Sequence, residues 1–368
     1  MKSDKLAWNR YMPFTQDNAT RTRRIFQAAL LVWWASSPAW TTDLSERIAK
    51  IDHALRRFQA DRGLSPEAAF WLPTLTLYRE NVARGYKVKR LDEQYVPSED
   101  YRMEQAGRAE ELADALLKND FLKLYRPGGV ECALSSATDG TLSPYVLYLP
   151  ESYASGRDKY PLIVYLHGAN GTQWEVERST TPFPRAEMAR GNWIMAVPLG
   201  RGNSGYRGPA QKDLVQIVEE LSRRLRIDPG RRAISGFSAG GIGAWRMALD
   251  YPEMFDAVIP ICGILPWQVK DVPNLRKLVE ATLPKDQIPK DLTELGDPER
   301  DPSCFDKLRG RHTVIIQSIS DPVIPSDLVY AITRQLEARG VPFQLIKFDR
   351  LHTIYPGILE VYKSLYPR

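Results

Sequence analysis

Three hundred and sixty-eight residues, at about 150 per domain, make roughly two domains, or one large domain with an appendage. A content of 43% hydrophobic and 26% charged residues excludes disordered, collagen-like and low-complexity chains. Fifty Lys and Arg stand against 45 Asp and Glu, an excess of 5 spread along the chain rather than gathered in one stripe, which argues against a nucleic-acid binder.

Residues 21–39 run from a basic cluster (Arg21, Arg23, Arg24) through an apolar stretch to small residues at Ser37 and Ala39, the layout of an export signal cleaved after Ala39. Thr22-Arg23-Arg24-Ile25-Phe26 is similar to the core of a twin-arginine signal. On this reading the protein is secreted or periplasmic. The alternative is an amphipathic helix that packs Ile25, Leu30 and Trp33 on the domain behind it, in a cytoplasmic protein. The apolar run is shorter than the ~20 residues a spanning helix needs, so no stable membrane insertion is expected.

From 40 to 127 the pattern is a helical module. Leu44, Ile48, Ile51, Leu55 and Phe58 recur at steps of three and four, as do Leu112, Ala115, Leu116 and Leu117 near the far end. Gly63 with Pro66, and then Pro97, divide it into three or four helices. No catalytic pattern falls here; a scaffold or lid is the expected role, and His53, among charged neighbours, is a surface histidine.

Between 128 and 368 short apolar runs alternate with helical segments. The runs are 145–149, 162–166, 193–197, 232–235, 257–261, 313–317 and 343–348, with helices expected over 214–226 and 328–339. Several runs are too apolar to alternate, which suits strands covered on both faces. The expectation is an α/β domain built on a mostly parallel sheet flanked by helices. Ligands of such sheets bind outside the carboxyl ends of the strands, which is where chemistry belongs.

The run ending at Ser235 leads into Gly236-Phe237-Ser238-Ala239-Gly240, followed by a helical pattern to Asp250. Strand, sharp turn and helix around Gly-x-Ser-x-Gly make Ser238 a candidate nucleophile. Its base near neutral pH is a histidine, and there are four. His53 lies in the helical module, His312 precedes a strand and His167 precedes the serine in a glycine-rich turn, leaving His352, just after the last strand. A carboxylate after an intervening strand is needed to hold the imidazole. Asp321 fits that position, and Asp349, three residues from His352, is the competitor. Ala239 and Ala169, the latter in the loop Leu166-His167-Gly168-Ala169, are the expected oxyanion donors, while His167 fixes that loop. Trp174, Phe237 and Trp267 are candidate substrate walls. The segment 263–311, with Pro266, Pro273, Pro284 and Pro289, reads as a cap-like insertion, and Arg201–Gly205 as a loop at the same edge. The cysteines, Cys132, Cys262 and Cys304, match no metal spacing and allow at most one disulfide.

Four motifs now stand in order: Tyr160-Pro-Leu-Ile-Val-Tyr-Leu-His-Gly168, Gly236-Phe-Ser-Ala-Gly-Gly-Ile-Gly-Ala-Trp245, Tyr251-Pro252 with Phe255, and Asp321-Pro-Val-Ile-Pro325. On these, residues 140–368 resemble the α/β-hydrolase superfamily, and within it the esterases grouped with polyhydroxybutyrate depolymerases, feruloyl and acetyl xylan esterases and prolyl oligopeptidase-like hydrolases. The chain departs from that pattern at Gln317-Ser318, where the family usually has His-Gly, and in the length of 263–311. The helical segment also resembles an N-terminal extension of some secreted bacterial hydrolases. The resemblance implies a serine carboxylic-ester hydrolase with a Ser238, His352, Asp321 triad. It would act without metal or organic cofactor on a small or polymer-derived ester. The alternatives are a prolyl oligopeptidase-like peptidase using the same residues and a non-catalytic relative.

Overall fold

The computed structural model describes residues 44–367 apart from 62, 85–98, 126–127, 156–157, 178–181, 284 and 286–287. The expected export segment and its packed-helix alternative lie outside the described residues. The chain divides into two compact units, residues 1–49 and 50–368, and only 44–49 are described in the first. Among the described residues no helix is long and apolar enough to cross a membrane.

Among the described residues three α-helices precede the sheet: α1 (Leu44–Ala60), α2 (Pro66–Arg84) and α3 (Glu99–Lys118). The break between α1 and α2 falls at Gly63, where the glycine and proline punctuation placed it, while Pro97 lies outside the described residues. Ile51, Leu55 and Phe58 are buried on one face of α1, and Ala106, Ala109, Leu112 and Leu116 on one face of α3, as the spacing requires, whereas Leu117, one residue round the helix from Leu116, is exposed.

Eight strands follow: β1 (Gly128–Ser135), β2 (Leu142–Leu149), β3 (Tyr160–Leu166), β4 (Ile194–Pro198), β5 (Ile227–Phe237), β6 (Ala257–Ile261), β7 (His312–Ser318) and β8 (Gln344–Phe348). They form one sheet in the order β1-β2-β4-β3-β5-β6-β7-β8, in which only β2 runs against the rest. Every residue of β3, β4 and β6 is buried, which explains their unbroken apolar sequences. The helices of this part are α4 (Arg185–Arg190), α5 (Pro209–Arg224), α6 (Ala239–Asp250), α7 (Leu275–Thr282), α8 (Ser326–Ala338) and α9 (Ile358–Leu365). β1 is not among the expected strands because its sequence carries two glycines and Glu131 and so gives no apolar run.

β1 is paired with β2 along all eight residues, and α2 packs along it. The outer edge of a sheet leaves N–H and C=O groups unpaired. Here the N–H of Ala133 donates to Thr74 Oγ1 (3.0 Å) and the Tyr78 hydroxyl donates to the Glu131 carbonyl (2.8 Å). Four residues of helix rise about 6 Å and two residues of strand nearly 7 Å, so side chains at i and i+4 can serve alternate strand residues. Both side chains are buried. The Glu131 carboxylate, also buried, accepts from Asn81 Nδ2 (3.1 Å), Gln173 Nε2 (2.8 Å) and Trp174 Nε1 (3.1 Å), which joins α2 to the segment after β3. We expect Thr74→Val with Tyr78→Phe to lower the free energy of unfolding by about 2–4 kcal/mol, because two buried backbone groups lose their partners. Denaturant titration measures this, and an unchanged midpoint would show that the helix does not stabilise the edge.

Candidate active site

β5 ends in Phe237 and α6 begins at Ala239, which leaves Ser238 alone in the turn with φ 55° and ψ −117°. A non-glycine residue pays for such a φ in strain and is found there only when its surroundings hold it. The Ser238 N–H donates to the Ile261 carbonyl (2.9 Å) and its carbonyl accepts from Ile242 N–H (3.0 Å). The flanking glycines are steric necessities: a Cβ on Gly236 would lie 2.4 Å from the Gly240 carbonyl oxygen, and one on Gly240 2.0 Å from that of Leu166.

The loops after β7 and β8 are stitched together before they reach the serine. Ile319 N–H donates to the Phe348 carbonyl (2.8 Å), Arg350 N–H to Ser318 Oγ (3.1 Å), and the Ser318 hydroxyl to the Arg350 carbonyl. His352 then stands with Nε2 2.8 Å from Ser238 Oγ and Nδ1 2.7 Å from Asp321 Oδ2. Facing a carboxylate, Nδ1 carries the proton, so Nε2 is the lone-pair side and accepts from the serine hydroxyl. Asp321 Oδ1 accepts from the N–H groups of Val323 (2.8 Å) and Ile324 (2.9 Å). Burial works to raise the Asp321 carboxyl, but the bond from His352, its charge and these N–H groups outweigh it and hold the group below the ordinary carboxylate value. Asp349 accepts from the Ser320 hydroxyl instead.

The loop after β3 is held from several sides. His167 faces two carbonyls, Gly168 O from Nδ1 (2.8 Å) and Leu199 O from Nε2 (2.9 Å), and the Tyr206 hydroxyl donates to the His167 carbonyl (3.0 Å). Asn170 and Asn203 exchange two bonds, Asn170 N–H to Asn203 Oδ1 (2.8 Å) and Asn203 Nδ2 to Asn170 Oδ1 (2.9 Å). The two residues expected as oxyanion donors, Ala169 and Ala239, both line the same cavity as Ser238 and His352.

That cavity has a volume of about 480 Å³. Its walls also come from Glu175, the loop 202–206, Ile242 and Arg246 of α6, Val323 and Ile324, Thr353 and Ile354, and the insertion 263–311, which contributes Val269, Val272, Leu275, Leu278, Val279 and Leu295 among others. Phe237 lines it too, its ring 4.7 Å from that of His352. Two of the expected walls are elsewhere. Trp174 is buried in the core with its indole N–H on Glu131, drawn down by that carboxylate. Trp267 is buried at the root of the insertion, 6.5 Å from the Phe305 ring and under the Arg300 guanidinium. The aliphatic residues that replace them carried a legible signal, since Leu275, Leu278 and Val279 recur at helical spacing. No described residue between 44 and 125 lines the cavity.

Cys262 stands close by: its sulfur and donor atoms of Asp321 and His352 all lie within 4.8 Å of one another. The histidine and aspartate are committed to each other, and burial raises the thiol well above its usual range, which disfavours the thiolate a metal requires. Cys132, Cys262 and Cys304 are all free thiols.

Residues 200–357 match the prolyl oligopeptidase family. The chain is 32% identical over 133 residues to NocK of Nocardia uniformis subsp. tsuyamanensis (34% of this chain, 37% of that one). It is also 32% identical over 125 residues to "Probable feruloyl esterase C" of Aspergillus terreus (32% of this chain, 46% of that one). The matches thus span less than half the length of these relatives. Among solved structures, FphF, a fluorophosphonate-binding serine hydrolase of Staphylococcus aureus, superposes with a TM-score of 0.50 at 15% identity, over 65% of this chain and 97% of that one. This likeness establishes the fold.

Proposed function

We propose that this chain, which has the α/β-hydrolase fold, is a serine-dependent carboxylic-ester hydrolase. The observation that carries the reading is the continuous bonded line from Asp321 through His352 to Ser238 at the mouth of an apolar cavity. In the reaction that follows, Ser238 Oγ attacks the acyl carbon while His352 Nε2 takes its proton. Asp321 keeps the Nδ1 proton in place and stabilises the imidazolium. The N–H groups of Ala239 and Ala169 receive the charge that develops on the carbonyl oxygen. His352 returns the proton to the departing alcohol, and water, activated by the same nitrogen, releases the acid from the acyl-enzyme.

The match to the prolyl oligopeptidase family favours a second reading, a serine peptidase built on the same three residues. Incubation with p-nitrophenyl butyrate and with a proline-containing p-nitroanilide separates the two. The ester is expected to turn over, and a phosphonofluoridate to stop turnover with a single adduct on Ser238 in the peptide mass map. Cleavage of the anilide at a comparable kcat/KM would favour the peptidase, and an adduct elsewhere would remove Ser238 from the site.

A further inference from the structure

The insertion 263–311 sets what the cavity can hold. It leaves β6, makes a short helical turn at Pro266–Asp271, and lays α7 over the site before returning through Leu292–Leu295. α7 is two-faced: Leu275, Leu278 and Val279 line the cavity, while Arg276, Lys277 and Glu280 are exposed. The far end of the insertion is pinned, since Arg246 grips Asp297 through two nitrogens (2.8 and 3.0 Å) and Arg207 donates to the Gly296 carbonyl (3.0 Å). Partly buried polar bonds therefore anchor the insertion whose aliphatic face lines the same cavity as the serine.

The wall under α7 is aliphatic, from Val269, Val272, Leu275, Leu278, Val279 and Leu295. Elsewhere in the wall Asn203 is bonded to Asn170 and Arg246 to Asp297. An acyl group that lays hydroxyls or amides against these aliphatic side chains would lose water without gaining partners there, which costs more than a missing methylene. The side of the site facing solvent is formed by the loops after β7 and β8, where Ile319 is 51% and Leu351 70% exposed. His352 hands its proton to the leaving alcohol, so the alcohol departs on the open side and the acyl group occupies the closed one.

Building on the ester-hydrolase reading, we propose that the substrates are esters of unsubstituted aliphatic acids of medium length, with the acyl chain lying under α7 against Leu275, Leu278 and Val279. The test is a series of p-nitrophenyl esters with a constant leaving group, from acetate through butyrate and hexanoate to octanoate, run beside methyl ferulate. kcat/KM is expected to climb about fourfold per buried methylene until the cavity is full. Methyl ferulate should fall below hexanoate. In Leu278→Trp, which fills the cavity, and separately in Leu278→Ala, which removes contacts, the octanoate-to-acetate ratio should drop at least tenfold. Stoichiometric phosphonofluoridate labelling of Ser238 reports that each variant is folded at the site. A flat or falling profile in the unmodified enzyme, or ferulate as the best ester, overturns the chain-length inference and leaves ester hydrolysis standing. No turnover of any ester by an enzyme that still takes up the phosphonate overturns both.

Discussion

Ser238→Ala abolishes ester turnover, by about 10⁴- to 10⁶-fold, and leaves the unfolding transition where it was. The two halves of this expectation have separate causes. Without Oγ no acyl-enzyme can form, and His352 has no proton to take, so what survives is the acceleration that the oxyanion donors and the cavity give to water attack. The fold loses little because the hydroxyl's bond to His352 lies in a partly exposed turn, worth about 1 kcal/mol. Alanine inherits the same φ of 55°, so the strain of the turn is neither added to nor relieved. Steady-state kinetics beside a thermal melt of the same preparation checks both. Near-normal turnover with an unchanged melt would remove the elbow serine from the mechanism.

The two carboxylates near His352 should behave oppositely. Asp321→Asn is expected to lower kcat/KM by about 10⁴-fold, because an amide at that position offers its NH₂ group to Nδ1 and favours the tautomer with the proton on Nε2, facing the serine. The two N–H groups of Val323 and Ile324 that now bond the Asp321 carboxylate keep the segment in place, so the loss is expected in turnover rather than in folding. Asp349→Asn should cost less than tenfold, since its bond from the Ser320 hydroxyl survives with the amide oxygen as acceptor. Parallel kinetics on the two purified variants decides the matter. An inactive Asp349→Asn beside an active Asp321→Asn would show that His352 is oriented by the other carboxylate.

Much of this site is legible in one dimension. Gly236 and Gly240 flank the serine because backbone oxygens lie where side chains would begin, a constraint local enough to leave a pentapeptide signature. Ser238, Asp321 and His352 could each be placed after a strand because a parallel sheet delivers its loops to one edge, and the buried strands announce themselves as unbroken apolar runs. The alternation of those runs with helical periodicity likewise determined the α/β architecture. What only the tertiary structure decided is what each residue meets. Aromatic residues near the elbow look like pocket walls in sequence, yet Trp174 turns to a buried carboxylate on β1, and Trp267 packs on Phe305. The choice between Asp321 and Asp349 rests on which of them meets His352 Nδ1, a contact 31 residues apart in the chain, while Asp349 is taken by the Ser320 hydroxyl. β1 itself, with no apolar run of its own, is a strand because β2 pairs with it along its length, and Thr74 and Tyr78 of a distant helix bond its other edge. Local sterics and periodicity are written in neighbouring residues, whereas the partner of a polar group is chosen by the fold that brings it near.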